Sequence, residues 1–117
     1  MTVQRGEIWI VNFQPQLGAE IDKTRPAVIL NNTVLGRLPL VLVVPLTDWK
    51  AHYRHYVWMT HILPNNTNGL HKDSAADTFQ AKSCSNQRLV SKIGMLSDGE
   101  IQAIAAAFAL LIEFECP

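Results

Sequence analysis

The sequence predicts a mostly β domain, a small and strongly bent antiparallel sheet or barrel that is followed by one helix. Short runs rich in β-branched and aromatic residues are separated by Gly, Pro and Asn, and the hydrophobic period becomes helical only near the C-terminus. The chain has 117 residues, of which 48% are hydrophobic. This length suits a single core, so we expect residues 1–117 to form one domain.

Three predicted strands occupy the first half of the chain. Residues 7–13 combine β-branched and aromatic side chains, and residues 27–30 form a short apolar run. Pro26 precedes that run, and proline fits the first residue of a strand. Residues 38–46 are the most apolar stretch, with a proline near each end, which predicts a central strand buried on both faces.

The second half of the chain has weaker strand signals. Residues 52–63 alternate less cleanly, and we expect a strand with one partly solvated face. Residues 64–69 are rich in Asn and end in Gly, which predicts a turn. Residues 74–80 and 89–93 are further strand candidates on either side of a polar segment.

A helix closes the sequence. Ser97 and Glu100 have the spacing of a capping box, and Leu96 and Ile101 stand in hydrophobic-staple positions. The helix is predicted to run to about residue 113 and is apolar on nearly all sides. Such a helix must be covered on more than one side, so we expect a homodimer contact there.

Charge and targeting signals narrow the functional classes. Ten basic and ten acidic residues give a formal net charge of 0, which argues against broad charge-driven binding of nucleic acid but leaves room for a local basic groove. The N-terminus has no apolar signal-peptide core, and no apolar run is long enough to span a membrane. We therefore expect a cytoplasmic protein without membrane contact, with Cys84 and Cys116 as free thiols.

The sequence gives little support for a metal site or for a catalytic cysteine nucleophile. The four histidines, at positions 52, 55, 61 and 71, lack a compact second ligand pair, so surface or half-buried histidines are the favoured interpretation. Cys84 lies beside Lys82 without a catalytic cysteine signature. The sequence predicts neither a metal site nor a cofactor.

Arg25 and Thr47 form the candidate site that the residues themselves favour. Arg25 opens one predicted strand and Thr47 ends the next long one, so an antiparallel pair would bring both to one edge of the sheet. There a guanidinium can neutralise charge developing on a phosphodiester, and a hydroxyl can donate a hydrogen bond to it. Base stacking and phosphate contacts would come from Lys23, Trp49, Lys50 and Lys82.

Structural roles are the alternatives for both candidate catalytic residues. A surface arginine paired with Glu20 or Asp22 needs no ligand. A hydroxyl at a strand end commonly makes a local turn bond, which would explain Thr47. The residues alone leave these alternatives open.

The chain also resembles the MazF/PemK family, the toxins of toxin–antitoxin pairs. The matching segments cover nearly the whole chain in order: Arg-Gly-Glu-Ile-Trp at residues 5–9, then residues 18–20, 23–30 and 42–47, Asp73 with Ser74, Gln80, Arg88 with Leu89, and the closing helix. Each segment is weak alone, whereas the first segment together with Thr-Arg-Pro at residues 24–26 is fairly specific.

This resemblance implies an SH3-like barrel of the MazF, PemK and CcdB type with a C-terminal helix, assembled as a homodimer. It implies a metal-independent endoribonuclease that cuts single-stranded RNA, chiefly messenger RNA, at short motifs. The 2′-hydroxyl would attack the adjacent phosphate and leave a 2′,3′-cyclic phosphate and a 5′-hydroxyl. A cognate antitoxin would lie across the RNA groove and inhibit the enzyme.

The resemblance also assigns roles to residues. The family's catalytic arginine corresponds to Arg25, and its strand-end serine or threonine corresponds to Thr47. The substrate-binding residues would be Glu20, Lys23, Asp48, Trp49, Gln80, Lys82 and Ser83.

One position departs from the family pattern. Many members carry an acidic residue immediately before the glutamine matched by Gln80, where this chain has Phe79. They often have Arg-Thr where this chain has Lys82 and Ser83, changes that keep the charge and the hydroxyl. The lost carboxylate implies a different cut-site preference or rate. The general base stays open between Glu20 and the histidines.

A binding module of the same fold is the alternative function. Gyrase-poisoning toxins act through the C-terminal end of the helix, where a Trp would favour that interpretation, and this chain has none there. An inactive RNA-binding relative is favoured by Phe79 and disfavoured by the intact Arg25 and Thr47.

Overall fold

The computed structural model describes residues 2–14, 18–19, 23–34 and 38–115. Within these residues the chain forms seven strands and one helix, in the order β1 (Glu7–Asn12), β2 (Thr24–Ile29), β3 (Leu40–Asp48), β4 (Met59–Ile62), β5 (Ser74–Asp77), β6 (Lys82–Ser85), β7 (Leu89–Met95) and α1 (Asp98–Leu111). Three short 3₁₀ turns lie at Ala51–His55, Thr78–Gln80 and Asn86–Arg88. The prediction of a mostly β chain with a C-terminal helix is confirmed.

β3 is the centre of the sheet. The strand order is β4-β5-β3-β2-β1-β7, and β6 pairs with the first half of β3 while β5 pairs with the second half. Every pair is antiparallel, and the β1–β7 ladder shifts register twice. Such irregularities bend a strand. Over the described residues the sheet does not close into a barrel, since β4 and β7 remain its two ends.

Core side chains pack on both faces of the sheet. Ile8, Val28 and Val44 face α1 and form one cluster with Ile101 and Ile104 of that helix. A second cluster lies on the other face and contains Trp9, Phe13, Ala27, Ile29, Val41 and Val43. Because β3 contributes buried residues to both clusters, the prediction of a central strand buried on both faces is confirmed.

Two predictions for the second half of the chain are wrong. The strand predicted at 52–63 is limited to β4, because Ala51–His55 forms a 3₁₀ turn in which the Tyr53 N–H donates to the Lys50 carbonyl at 2.9 Å. The polar segment at 81–88 contains β6, whose buried Cys84 pairs with Val41. In the first case aromatic residues imitated strand alternation, and in the second a single inward side chain gave too weak a signal.

The helix begins as predicted and ends slightly earlier. The Glu100 N–H donates to the Ser97 hydroxyl at 3.2 Å, and the Ser97 N–H donates to the Glu100 carboxylate at 3.0 Å, which completes the capping box. Ile101, Ile104 and Ala107 are buried against the sheet. The outer side of the helix end is apolar and exposed. Among the described residues no helix has the length and apolar character needed to cross a bilayer.

Candidate active site

The sheet register brings Arg25 and Thr47 to one edge. β2 pairs with β3 so that Ala27 lies opposite Pro45 and Ile29 opposite Val43. Continuing the same register towards the start of β2 places Arg25 opposite Thr47. On its other side Arg25 pairs with Val11 of β1, and this pairing fixes its backbone at the start of β2.

A cavity of about 290 Å³ lies at this edge of the sheet. Its apolar lining comes from Ile10, Pro26, Leu46, Leu70 and Ile93. Its polar lining comes from Arg25, Thr47, Asp48, His71, Lys72 and Ser74. An apolar floor with a few convergent polar groups is typical of a ligand-binding site.

The cavity rim carries an exposed ion pair. Lys72 Nζ lies 3.0 Å from Asp48 Oδ1, and the two side chains are 71% and 65% exposed. Exposed pairs of this kind contribute about 0–1 kcal/mol. A phosphate group can therefore replace the carboxylate as the partner of Lys72 at little cost.

His71 and His61 have different surroundings. Of the four, His71 lines the cavity together with Arg25 and Thr47. His61 stacks on Trp49 with ring centroids 4.0 Å apart, and its Nε2 lies 2.9 Å from a carboxylate oxygen of Asp73. His71 is therefore the histidine that is placed to act on a ligand in the cavity.

The predicted substrate-binding residues do not all meet at the cavity. Asp48 lines it, and Trp49 follows directly and donates its backbone N–H to the Asp73 carbonyl at 3.1 Å. Gln80 donates from Nε2 to the Ala19 carbonyl at 3.2 Å, which ties the turn after β5 to the segment between β1 and β2.

The remaining predicted contacts lie further along the sheet or beyond the described residues. Lys82 and Ser83 lie on β6, where they pair with Val43 and Leu42. Lys23 is exposed just before β2 in a left-handed conformation, with φ of 65°. Glu20 lies outside the described residues.

Sequence reasoning missed the contribution of the segment before β5. Asp48 pairs with Ser74, so the residues preceding Ser74 fall at the end of β3, beside the site. The run His71-Lys72-Asp73-Ser74 was a polar signal immediately before a strand candidate. Its position became clear only with the pairing of β3 and β5, which are far apart in sequence.

Two buried carboxylates have opposite electrostatics. Burial alone would raise the pKa of Glu7, but hydrogen bonds from Lys92, the Gln4 backbone and the Trp9 indole outweigh it, so that pKa lies below its usual value. Burial raises the pKa of Asp77, and the backbone N–H groups of Phe79 and Gln80 oppose this only in part. Glu7 is thus held as an anion with help from Lys92, whereas the groups that oppose the burial of Asp77 are two backbone N–H donors.

Metal ligands do not cluster in the part of the chain that the structure describes. No group of three or more His, Cys, Asp or Glu side chains is arranged there to hold a metal ion.

The fold and the cavity define a small β-rich domain that ends in a helix and carries a candidate ligand site at one edge of its sheet. A sequence model described as the PemK-like, MazF-like toxin of type II toxin–antitoxin systems matches residues 4–112. The chain belongs to this family.

Relatives agree with this assignment. The chain is 34% identical to Endoribonuclease MazF9 of Mycobacterium tuberculosis, over 95% of this chain and 97% of that protein. It is 27% identical to Endoribonuclease EndoA of Bacillus subtilis, over 97% of this chain and all of that protein. A mycobacterial endoribonuclease solved with its cognate antitoxin superposes with a TM-score of 0.76 at 14% identity, covering 99% of this chain and 100% of that one, which shows the shared fold.

Proposed function

We propose that the chain is an endoribonuclease toxin that cuts single-stranded RNA, chiefly messenger RNA, at short sequence motifs. The observation that carries this proposal is the cavity lined by Arg25 and Thr47 in a chain of this toxin family. The names of MazF9 and EndoA support the same activity. Residues 1–117 would act as one toxin domain.

The reaction is an internal transfer at one phosphodiester. The 2′-oxygen loses its proton and bonds to phosphorus, the bond from phosphorus to the 5′-oxygen breaks, and that oxygen takes up a proton. The products are a 2′,3′-cyclic phosphate and a 5′-hydroxyl. Charge accumulates on the phosphorane oxygens, and groups fixed in advance around that position lower the barrier.

Arg25 and Thr47 have the roles that this charge requires. The planar guanidinium of Arg25 can hold two oxygens at once, and the Thr47 hydroxyl can donate a further hydrogen bond. Lys72 adds a third positive or donor group at the rim. Because protein cations can supply the charge, the proposed reaction needs no metal or cofactor.

His71 is the group that we propose for one of the proton transfers. It lines the same cavity as Arg25 and Thr47, and imidazole can take or give a proton near neutral pH. Glu20 is the other candidate that the sequence suggests.

The flanking nucleotides would contact residues around the cavity. Asp48 and Trp49 continue from Thr47, and the turn ending at Gln80 approaches the segment before β2 through Ala19. We propose that these residues bind the RNA on either side of the cut, together with Glu20, Lys23, Lys82 and Ser83.

Two protein contacts complete the proposal. The antitoxin complex of the mycobacterial relative supports a cognate antitoxin for this chain. The exposed apolar side chains at the helix end, Leu110, Ile112 and Phe114, support a homodimer contact. The toxin would act in the cytoplasm, where messenger RNA is found, without membrane contact.

Mapping the ends of a cut RNA tests this function. Purified protein is incubated with a long single-stranded RNA in EDTA, and both ends of each fragment are identified. Discrete cuts with cyclic-phosphate and 5′-hydroxyl ends would support the proposal. RNA that is bound but uncut, or inhibition of gyrase instead, would overturn it in favour of a binding module.

A further inference from the structure

Seven rings form a connected aromatic surface beside the candidate active site. It consists of Trp49, His52, Tyr53, Tyr56, Trp58, His61 and Phe79, which contact one another in stacked, edge-to-face or tilted pairs. Neighbouring ring centroids along the path from Trp49 to Phe79 lie 5.9, 6.1, 4.7 and 5.2 Å apart. The rings therefore form a continuous path rather than isolated pairs.

One end of the aromatic surface adjoins the cavity, and the other end adjoins Gln80, a predicted substrate-binding residue outside the cavity lining. Trp49 follows Asp48, which lines the cavity, and Phe79 precedes Gln80, which contacts the segment before β2. A strand of RNA whose phosphate occupies the cavity would thus have an aromatic path next to it.

The end formed by Tyr56, Trp58 and Phe79 carries the most exposed large apolar side chain of the aromatic surface. Tyr56 and Trp58 are stacked with an interplanar angle of 7°, and Phe79 meets Trp58 edge-on at 86°. Phe79 is 61% exposed although it is a large apolar side chain. An aromatic ring left uncovered in this way is suited to binding a partner.

The turn that carries Phe79 is fixed in place. The Phe79 N–H donates to the buried Asp77 carboxylate at 3.1 Å, and the Thr78 hydroxyl donates to the Trp58 carbonyl at 2.7 Å. The turn is thereby fastened both to β5 and to the backbone of Trp58. The backbone that carries Phe79 therefore needs little ordering on binding, which preserves affinity.

The charge of the surrounding chain favours a nucleic acid as the occupant. Residues 49–72 contain Lys50, Arg54, Lys72 and all four histidines, but none of the ten acidic residues. This segment supplies six of the seven rings. Lys72 pairs with Asp48 and His61 with Asp73, and Lys50 and Arg54 are its further cations. A second copy of this chain would bring a like-charged surface, which is unfavourable.

We propose that Tyr56, Trp58 and Phe79 form a stacking site for one unpaired base of the RNA, flanking the phosphate that is cut. This inference rests on the proposed function. A π face accepts any base, so the site would add affinity with little sequence selection of its own. Phe79 would thus replace, by stacking, the carboxylate expected at this position from the family resemblance.

The test uses a short fluorescent single-stranded RNA that spans a mapped cut site, bound by protein in which Arg25→Ala prevents cleavage. Phe79→Ala, Phe79→Trp and Val90→Ala are compared in this background. Val90 is also 61% exposed, but it lies on β7, at the opposite end of the sheet from β4. A second RNA series lacks one base at a time on each side of the cut.

The stacking site predicts that Phe79→Ala weakens RNA binding about 5- to 150-fold, the range for loss of one base–aromatic stack. Phe79→Trp and Val90→Ala should bind like the parent. One abasic position should weaken binding to the parent and have no further effect on Phe79→Ala, which identifies the stacked base.

Three results would overturn the stacking site. They are Phe79→Ala binding like the parent, equal sensitivity to every abasic position, or a loss confined to antitoxin binding or to self-association. Each of these results can occur although the protein without any substitution cuts RNA normally. The stacking site can therefore fail while the proposed function stands. If the protein without any substitution cuts no RNA, the proposed function itself fails.

Discussion

The ion pair at the β1–β7 edge and the ion pair at the cavity rim use similar groups in opposite ways. Glu7 and Lys92 meet at 2.8 Å, with the Glu7 side chain only 5% exposed. The Trp9 indole and the Gln4 backbone N–H also donate to the Glu7 carboxylate, at 3.1 and 2.9 Å. Asp48 and Lys72 meet at a similar distance but remain mostly in water.

This difference separates a structural site from a functional one. The Glu7 carboxylate is occupied from several directions by the protein itself, so its removal leaves buried donors unsatisfied and weakens the fold. The groups at the rim line a cavity, and their exposed ion pair exchanges readily with a ligand. Burial and existing partners, more than residue type, therefore distinguish a charged side chain that binds a ligand from one that stabilises the fold.

A large effect on cleavage should come from Arg25→Lys at the cavity. Lysine keeps the positive charge but lacks the planar fork, so one of two donors to the phosphorane is lost. We expect the single-turnover cleavage rate to fall about 10²-fold. A rate within a few-fold of the parent would show that only charge matters there.

Glu7→Gln should lower stability and leave cleavage unchanged. Loss of the carboxylate should lower the free energy of unfolding by about 2 kcal/mol, since buried donors and Lys92 lose an anionic partner. Cleavage per folded molecule should not change. Asp48→Asn is the matched control, and loss of that exposed pair should change stability by less than about 1 kcal/mol.

The acid side of the stability profile should also report Glu7. Its pKa is lowered in the folded state, so its contribution is present above the unfolded pKa and is lost as pH falls through the folded pKa. Denaturant unfolding measured from neutral into acid pH should therefore show a smaller loss of stability for Glu7→Gln than for the parent. Equal losses would contradict this role.

A smaller effect is expected at Thr47, where two variants distinguish hydroxyl from shape. Thr47→Val keeps the shape and removes the donor, and should lower the cleavage rate about 10-fold. Thr47→Ser keeps the hydroxyl and should cut like the parent. If both variants cut equally well, the hydroxyl does not contact the reacting phosphate.

The smallest effect should come from Asp77→Asn. The pKa of Asp77 is raised in the folded state, so its contribution to stability is lost as pH rises through the folded pKa. Asn removes that loss and can still accept from the Phe79 N–H. We expect equal or slightly higher stability at neutral pH by denaturant unfolding, and a clear loss would mean that Asp77 has an anionic role.

The sequence predicted those features that depend on elements that follow one another along the chain. The order of β2 and β3 along the chain was enough to place Arg25 near Thr47, and the Ser97 capping box located the helix start. His71 and Lys72 reach the site only because β5 pairs with β3, a contact between distant segments that periodicity does not reveal. The aromatic residues near Tyr53 suggested a strand because packed rings on a 3₁₀ turn can imitate strand alternation.

The central claim is that Arg25 acts on the phosphate in the cavity, and two matched arginine variants test it most directly. Arg5 is the control, because its Nε donates to the Leu30 carbonyl at 3.2 Å and it does not line the cavity. Single-turnover cleavage of one RNA in EDTA is measured for the parent, Arg25→Ala and Arg5→Ala. The account predicts that Arg25→Ala loses about 10³-fold in rate while Arg5→Ala cuts like the parent. Equal rates for the two variants would contradict it.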